Sequence, residues 1–264
     1  SNQSVSAIAV NGTHLFAGGN IFEAGQIGFS RITEWTGSAW TALGEGQGAA
    51  NEIQSVLLSP DQNSLYVGGR FDSIGGAPAH SIARWDGSQW HALGDGLKRG
   101  TSGADVRGLL LAGDVLYAGG YFSSSGSTPL SNIAQWNGNS WLSLGEGLDG
   151  AVYTLVSDDS GNIFAGGNFL ASNTVTLNHV ALWNGTSWQP LGDGLDYWIR
   201  SLVYDATNDL LYAAGMDPEY SSSFVGVSVW DGSTWQPLGT EPTGQVYTMK
   251  MSPDGVLYAG VVYQ

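Results

Sequence analysis

Tryptophan recurs along this chain in pairs, and the regularity of these pairs constrains the fold more than any other feature. Ten of the eleven tryptophans form five pairs with four residues between the two members, and the first members are spaced by 50, 51, 47 and 47 residues. The pairs are Trp35/Trp40, Trp85/Trp90, Trp136/Trp141, Trp183/Trp188 and Trp230/Trp235. Self-similarity at a period of about 40 to 50 residues indicates a repeat architecture, in which each repeat is one supersecondary unit.

Each repeat predicts four short strands joined by turns. Strand a is of the VYTLV type (152–156), strand b of the IFAGG type (163–167), strand c of the IARW type (82–85), and strand d begins at the second tryptophan. Between strands c and d lies an Asn-Gly or Asp-Gly step, which favours a type I′ hairpin turn because both central residues need a positive φ. This pattern predicts an all-β fold, a β-propeller built from four-stranded antiparallel blades.

The chain contains five complete repeats and one partial repeat. The complete repeats cover roughly residues 5–47, 53–97, 106–148, 152–195 and 199–240, and residues 246–263 supply only strands a and b of a sixth. We therefore expect a single β-propeller domain over residues 1–264, with a six-position ring favoured and a five-bladed ring second. A two-stranded blade has an unpaired edge, which recruits strands from a downstream segment or from another molecule. Truncation of the chain is the alternative explanation.

The paired tryptophans are expected to pack between blades. An indole ring buries roughly 150–250 Å², and the recurrence of the pair in every complete repeat favours a structural role over a carbohydrate-binding platform. The chain has no cysteine. Disulfides, thiolate metal sites and a cysteine nucleophile are therefore excluded, and apolar packing has to stabilise the fold without covalent links.

One family resemblance is visible in the repeated residues. An apolar strand that ends in Gly-Gly, followed by an aromatic residue and a nearby tryptophan, resembles the kelch-type β-propeller repeat. The form GGxF…IAxWxGxxWxxLGxGL is more similar still to the kelch-like repeats of secreted and surface propeller proteins, including the fungal cortical-marker type. The resemblance covers almost the whole chain and implies a propeller fold. It says little about function, because the matching residues are structural ones.

The charge balance excludes several classes of partner. Eight basic residues against 23 acidic ones give a net charge of −15, which argues against nucleic acid because phosphate binding needs clustered lysine and arginine. It also argues against an anionic membrane surface, and no apolar run reaches the roughly 18 residues of a membrane span. Few lysines, high acidity and many glycine, serine and asparagine residues favour a secreted or cell-surface protein.

An acidic residue follows strand d in four of the repeats. These residues are Glu45, Asp95, Glu146 and Asp193, each flanked by glycines. An acidic ring of this kind would bind a cation or a basic partner. The favoured interpretation is local, because an acidic side chain in such a turn accepts hydrogen bonds from nearby backbone N–H groups.

The second residue of strand a varies between repeats while its neighbours do not. It is arginine or tyrosine in four of them: Arg107, Tyr153, Arg200 and Tyr247. The functional interpretation is a pocket for a ligand that carries a carboxylate or a sulfate, held by arginine forks. The alternative is ion pairing of the arginines with the acidic turns.

Two aromatic residues interrupt the repeat pattern before Arg200. Tyr197 and Trp198 have no counterparts in the other repeats, and Trp198 is the one tryptophan outside the pairs. In this position Trp198 would stack on a sugar ring or anchor a protein partner. The alternative is a plug between blades.

The sequence contains no recognisable catalytic motif. It lacks HExxH, GxSxG, a P-loop and a calcium-loop signature, and its four histidines show no metal-ligand spacing. We therefore expect no catalytic residue, no metal and no cofactor, and we interpret the chain as a non-catalytic module that binds a protein or a carbohydrate. The alternative is a structural subunit of a fibre or surface assembly, which self-associates through the incomplete sixth blade. A glycan-active enzyme is the third hypothesis.

Overall fold

The computed structural model describes residues 3–12, 14–24, 27–28, 31–44, 48–217, 226–239 and 244–262. All regular elements in these ranges are β-strands, and every strand pairs in antiparallel fashion with its neighbours. This confirms the predicted all-β class. The strands belong to two compact units, Ser1–Ser143 and Leu144–Gln264.

The first unit contains three four-stranded antiparallel sheets in which the strands follow chain order, and a fourth in which two short hairpins pair with each other. The first sheet and its short hairpin consist of β1 (Ser4–Asn11), β2 (His14–Asn20), β3 (Glu23–Ala24), β4 (Ile27–Gly28), β5 (Ile32–Trp35) and β6 (Trp40–Ala42). The second consists of β7 (Ile53–Leu58), β8 (Leu65–Gly69), the hairpin β9 (Ser73–Ile74) and β10 (Ala77–Pro78), β11 (Ile82–Trp85) and β12 (Trp90–Ala92). The third follows a hairpin of β13 (Lys98–Arg99) and β14 (Ser102–Gly103), and consists of β15 (Asp105–Ala112), β16 (Val115–Tyr121), the hairpin β17 (Ser124–Ser125) and β18 (Thr128–Pro129), β19 (Ile133–Trp136) and β20 (Trp141–Ser143).

The second unit contains two four-stranded sheets and two two-stranded sheets, one of which is a short hairpin. The first consists of β21 (Val152–Ser157), β22 (Ile163–Gly167), the hairpin β23 (Ala171–Ser172) and β24 (Val175–Thr176), β25 (Val180–Trp183) and β26 (Trp188–Pro190). The second consists of β27 (Trp198–Asp205), β28 (Leu210–Met216), β29 (Val227–Trp230) and β30 (Trp235–Pro237), and the two-stranded sheet of β31 (Gln245–Met251) and β32 (Leu257–Val262). Within the described residues, five of the four-stranded sheets and the two-stranded sheet of β31 and β32 thus follow one another along the chain.

The turn between the third and fourth strand of each sheet differs from the predicted one. In the second sheet Asp86 pairs with Gln89 through its backbone N–H, so the two central residues are Gly87 and Ser88. Gly87 has a φ of 94°, whereas the φ of Asp86 is not positive. These φ signs belong to a type II′ turn, so the predicted type I′ turn with aspartate as a central residue is wrong. The Asp86 carboxylate instead accepts the N–H groups of Ser88 and Gln89, which holds the aspartate in the strand conformation.

The glycine doublet at the end of each second strand has two separate functions. A Cβ at the first position, Gly68, would lie 2.6 Å from Cγ1 of Val106, so glycine here allows the next sheet to approach closely. A Cβ at the second position, Gly69, would overlap the carbonyl oxygen of Glu52 on the paired strand. The doublets therefore reflect close packing rather than turns, and residues such as Ile53 and Val106 are fully buried between sheets.

The tryptophan pairs lie between neighbouring sheets, as predicted. Within each pair the rings are tilted by 45–58° with centroids 5.2–5.6 Å apart. The second tryptophan donates its indole N–H to the leucine carbonyl that follows strand d of the preceding repeat, at 2.9–3.1 Å in three cases. These are Trp141 to Leu93, Trp188 to Leu144 and Trp235 to Leu191. The position combines a large apolar contact with a satisfied polar group, as buried indoles require.

Candidate functional site

The first strand of every sheet carries a β-bulge at the same position. The register shifts between the residues on either side of one unpaired residue, and the six unpaired residues are Ser6, Gln54, Arg107, Tyr153, Arg200 and Tyr247. A bulge removes a residue from the ladder and redirects its side chain. The variable position of the sequence is therefore the bulged position of each sheet, which explains why its residue type is not fixed by strand pairing.

Three of the predicted site residues meet in the second unit. The guanidinium carbon of Arg200 lies 4.8 Å from the ring centroid of Tyr153 and 5.9 Å from that of Tyr247. Its Nε and Nη2 donate to the sulfur of Met216 at 3.1 and 3.0 Å. No acidic side chain among the described residues forms an ion pair with Arg200. The predicted alternative, pairing with an acidic turn, is therefore not seen for this arginine.

Arg107 has a different environment in the first unit. Its Nε and Nη2 donate to Oδ2 of Asp105, at 2.9 and 2.7 Å, and Nη2 of Arg70 donates to the same oxygen at 2.8 Å. Burial raises the pKa of Asp105, but the hydrogen bonds from Arg70 and Arg107 outweigh this effect and hold the pKa below its usual value. Arg107 thus pairs with an acidic residue on its own strand. The sequence prediction missed Asp105 and Arg70.

Tyr197 and Trp198 occupy different environments. Tyr197 is 8% exposed, and its hydroxyl lies 2.9 Å from Oγ of Ser228 and 3.3 Å from the carbonyl oxygen of Ala213. Burial raises the pKa of this phenol to about 12. Tyr197 is therefore a core residue, and its ring is too buried to contact a ligand or a protein partner. Trp198 is half-buried at the start of β27, opposite Met216.

The acidic turns are exposed where the structure describes them. The side chains of Asp95, Glu146 and Asp193 form no hydrogen bond with another described residue, so the expected capping of backbone N–H groups is not seen there. Glu45 lies outside the described residues. Asp95 lines a cavity of about 250 Å³ together with Ser125, Thr128 and Asn139. No group of three or more histidine, aspartate or glutamate side chains in the described part of the chain is arranged to hold a metal ion.

Another cavity, which is lined by two arginines and which the sequence prediction missed, lies in the first unit. Its volume is about 460 Å³, and its lining includes Asn51, Arg70, Arg99, Asp105 and Tyr121. The guanidinium carbon of Arg99 lies 3.1 Å from the ring centroid of Tyr121. The strand β13 carries Lys98 and Arg99, pairs with β14 and β17, and places Arg99 at this cavity.

Comparison with known proteins supports the fold alone. No protein-family model and no curated protein matches the chain. The crystal structure of the computationally designed Ika8 protein, one of 428 matching solved chains, aligns with 98% of this chain and 71% of its own, at a TM-score of 0.57 and 14% sequence identity. Identity this low carries no information about ligands. Among the described residues, no helix is long and apolar enough to cross a membrane.

Proposed function

We propose that the chain is a kelch-like β-propeller that acts as a non-catalytic binding module, outside the cell or at its surface, for a protein or a carbohydrate. The recurring four-stranded sheets support the assignment of blades, and the six-position ring stays a prediction. The observation that carries the binding role is the recurring bulge. It presents one variable residue at the same end of each of the six main sheets, opposite at least one glycine of the paired strand.

The chemistry of the second unit favours a ligand with an anionic group. Arg200 is half-buried and has no acidic partner among the described residues, and removing a cation from water without a counter-charge costs free energy. The faces of Tyr153 and Tyr247 offset part of this cost, by about 0.5–2 kcal/mol for each well-placed ring. A carboxylate or sulfate that accepts the remaining N–H groups of the guanidinium would offset the rest.

The experiment is a binding screen with a matched substitution. The purified chain is applied to an array of neutral, uronate-bearing and sulfated glycans and to a panel of extracellular proteins, next to its Arg200→Ala and Gln54→Ala variants. We expect the best ligand to be anionic and to bind Arg200→Ala about tenfold or more weakly, whereas Gln54→Ala, which changes another bulged residue, binds normally. Equal binding of native protein and Arg200→Ala would remove this site from the proposal.

Assembly of copies is a second candidate function, favoured by the exposed faces of the first and last sheets. Val5 and Ile8 on β1 are 56% and 57% exposed, whereas their counterparts on β7, Ile53 and Val56, lie against Gly18 of the preceding sheet. Gly260 on β32 is the counterpart of Gly18, and a Cβ there would meet only Thr248 of its own sheet. The two faces thus have the complementary features that join neighbouring sheets elsewhere in the chain.

The occupant of each face in this second candidate is another copy of the chain, docked head to tail. Such a contact is heterologous and builds filaments when its rotation does not close. The outer edge of β32 is a separate feature: it has no third strand among the described residues, and Tyr258 and Val262 are 62% and 52% exposed. The predicted strand donation to the half blade would occupy this edge.

The absence of cysteine makes this contact testable by cross-linking. A Cβ on Gly18 would lie 3.3 Å from Cβ of Ile53, close to the separation of about 3.5–4.5 Å in disulfides. We expect a mixture of the single variants Val5→Cys and Gly260→Cys to form disulfide-linked heterodimers, and a mixture in which Ser88→Cys replaces Val5→Cys to form none. A monomeric native chain at high concentration, together with no enrichment of the heterodimer, would refute the assembly.

A further inference from the structure

We infer that the cavity between Arg99, Arg70 and Tyr121 in the first unit binds a sugar residue that carries a carboxylate or sulfate group. This inference rests on the proposed binding function for its class of ligand, but on a different set of residues from the Arg200 cluster. The cavity volume of about 460 Å³ falls in the range of small-molecule pockets, about 300–1,000 Å³.

The cavity depends on extra residues in one connection between sheets. Leu93 and Arg107 are 14 positions apart, whereas the corresponding pairs Leu144/Tyr153 and Leu191/Arg200 are each nine positions apart. The extra residues form the hairpin of β13 and β14, and β13 pairs with β17 of the third sheet. The repeat does not require this hairpin, because neighbouring sheets join without it elsewhere in the chain.

Arg99 supplies the charge that an anionic group would neutralise. One face of its guanidinium covers the ring of Tyr121, which is 41% exposed, and Arg99 forms no ion pair with any residue in the described ranges. An arginine stacked on a ring keeps the N–H groups at its edge for a planar, bidentate acceptor. An arginine without an ion pair is notable in a chain that has a net charge of −15 and only eight basic residues.

Arg70 adds a second donor on the opposite side of Asp105. One of its nitrogens binds the Asp105 carboxylate at 2.8 Å, while 47% of the side chain stays exposed. Asp105 is shared between Arg70 and Arg107, so one carboxylate faces two guanidinium groups. Its low pKa keeps Asp105 ionised at neutral pH, and it therefore holds both arginines in place.

The remaining lining favours a sugar over a ligand with several phosphates. Asp72 also lines the cavity, with 72% of its side chain exposed. A carboxylate here accepts hydrogen bonds from hydroxyl groups and repels additional negative charge. Asn51 offers both a donor and an acceptor, and Tyr121 offers a ring edge for an apolar sugar face. Donors, acceptors and one unpaired cation together match a polyhydroxylated ligand with a single acidic group.

The test measures binding of defined oligosaccharides by isothermal titration calorimetry. The probes are a tetragalacturonate, a sulfated heparin tetrasaccharide and neutral cellotetraose, each with the native chain and with Arg99→Ala, Arg99→Lys, Tyr121→Ala and Arg200→Ala. Arg84→Ala, an arginine substitution on β11 outside the cavity, is the matched control, and circular dichroism confirms folding of each variant. The uronate and sulfate probes separate the two sources of negative charge.

We expect one acidic probe to bind, with affinity reduced about tenfold or more in Arg99→Ala, reduced by a smaller factor in Arg99→Lys, and unchanged in Arg84→Ala. Cellotetraose binding as strong as that of both acidic probes would overturn the inference, as would acidic binding that Arg99→Ala leaves intact. Acidic binding lost in Arg200→Ala but kept in Arg99→Ala would overturn this cavity and support the proposed function. Loss in Arg99→Ala alone supports the cavity and not the Arg200 cluster.

Discussion

The second tryptophan of each pair connects one sheet to the next through a single hydrogen bond. Trp141 is 1% exposed and donates to the carbonyl of Leu93, which also accepts the N–H of Gly96. Trp90 occupies the corresponding position one repeat earlier, but its buried Nε1 has no acceptor. The chain therefore contains two equivalent indoles that differ in hydrogen bonding.

This difference predicts unequal costs for removing the indole nitrogen. Trp141→Phe loses a buried hydrogen bond, whereas Trp90→Phe removes a donor that is already unsatisfied. We expect Trp141→Phe to lower the free energy of unfolding by about 1 kcal/mol more than Trp90→Phe does. Urea unfolding followed by far-UV circular dichroism measures both. Equal losses would show that the indole hydrogen bond contributes no net stability.

At the scale of a strand pair, the bulge and the second glycine of the doublet lie side by side and are structurally coupled. The bulge brings the carbonyl oxygen of Glu52 over Gly69, and the same approach recurs in the other four-stranded sheets, for example between Asp105 and Gly120. Any side chain at this glycine would overlap backbone atoms, which have no room to move. In the four-stranded sheets the glycine thus leaves room for the carbonyl group beside the bulge, whereas Val261 occupies this position in the last sheet.

Substitution of this glycine is predicted to disrupt the bulge. Gly69→Ala places a Cβ onto the Glu52 carbonyl oxygen, and we expect a loss of about 3 kcal/mol or more in the free energy of unfolding. Gly113→Ala is the matched control, because Gly113 has a φ of 58° but open space around it. The alanine there meets no other atom, and the substitution costs only the about 1–2 kcal/mol of a left-handed backbone conformation. A thermal melt in which Gly69→Ala is the milder of the two would contradict this account of the doublet.

The sequence predicted strands and repeats well because the doublets and tryptophans are the residues that hold sheets together. It mispredicted the hairpin turn because Asp86 stabilises it with its side chain rather than with a positive φ. It gave no signal for the positive φ at Ser81 and Asn132, since neither is glycine. It grouped Arg200 with Tyr153 and Tyr247, whose side chains lie together in the structure, but gave no signal for Arg99, because that residue lies in a hairpin outside the repeat.

At the scale of the whole molecule, structural and variable positions are separated. The residues that recur from repeat to repeat, the glycine doublets and the tryptophan pairs, lie between strands and sheets. The positions whose residue type differs between repeats, where arginine and tyrosine occur, are the bulges and the added hairpin. Five of the eight basic residues fall within residues 70–107. The negative net charge therefore coexists with local arginine sites, and it does not by itself exclude an anionic ligand.

The central claim is that the bulged residues bind a ligand and contribute little to the stability of the fold. The affinity of Arg200→Ala for the best anionic ligand from the array, compared with native protein and with Gln54→Ala, tests this claim most directly. The account predicts an affinity about tenfold or more lower in Arg200→Ala, with a thermal midpoint close to that of the native chain. Full affinity in Arg200→Ala, or lost affinity only because this variant unfolds, would contradict the claim.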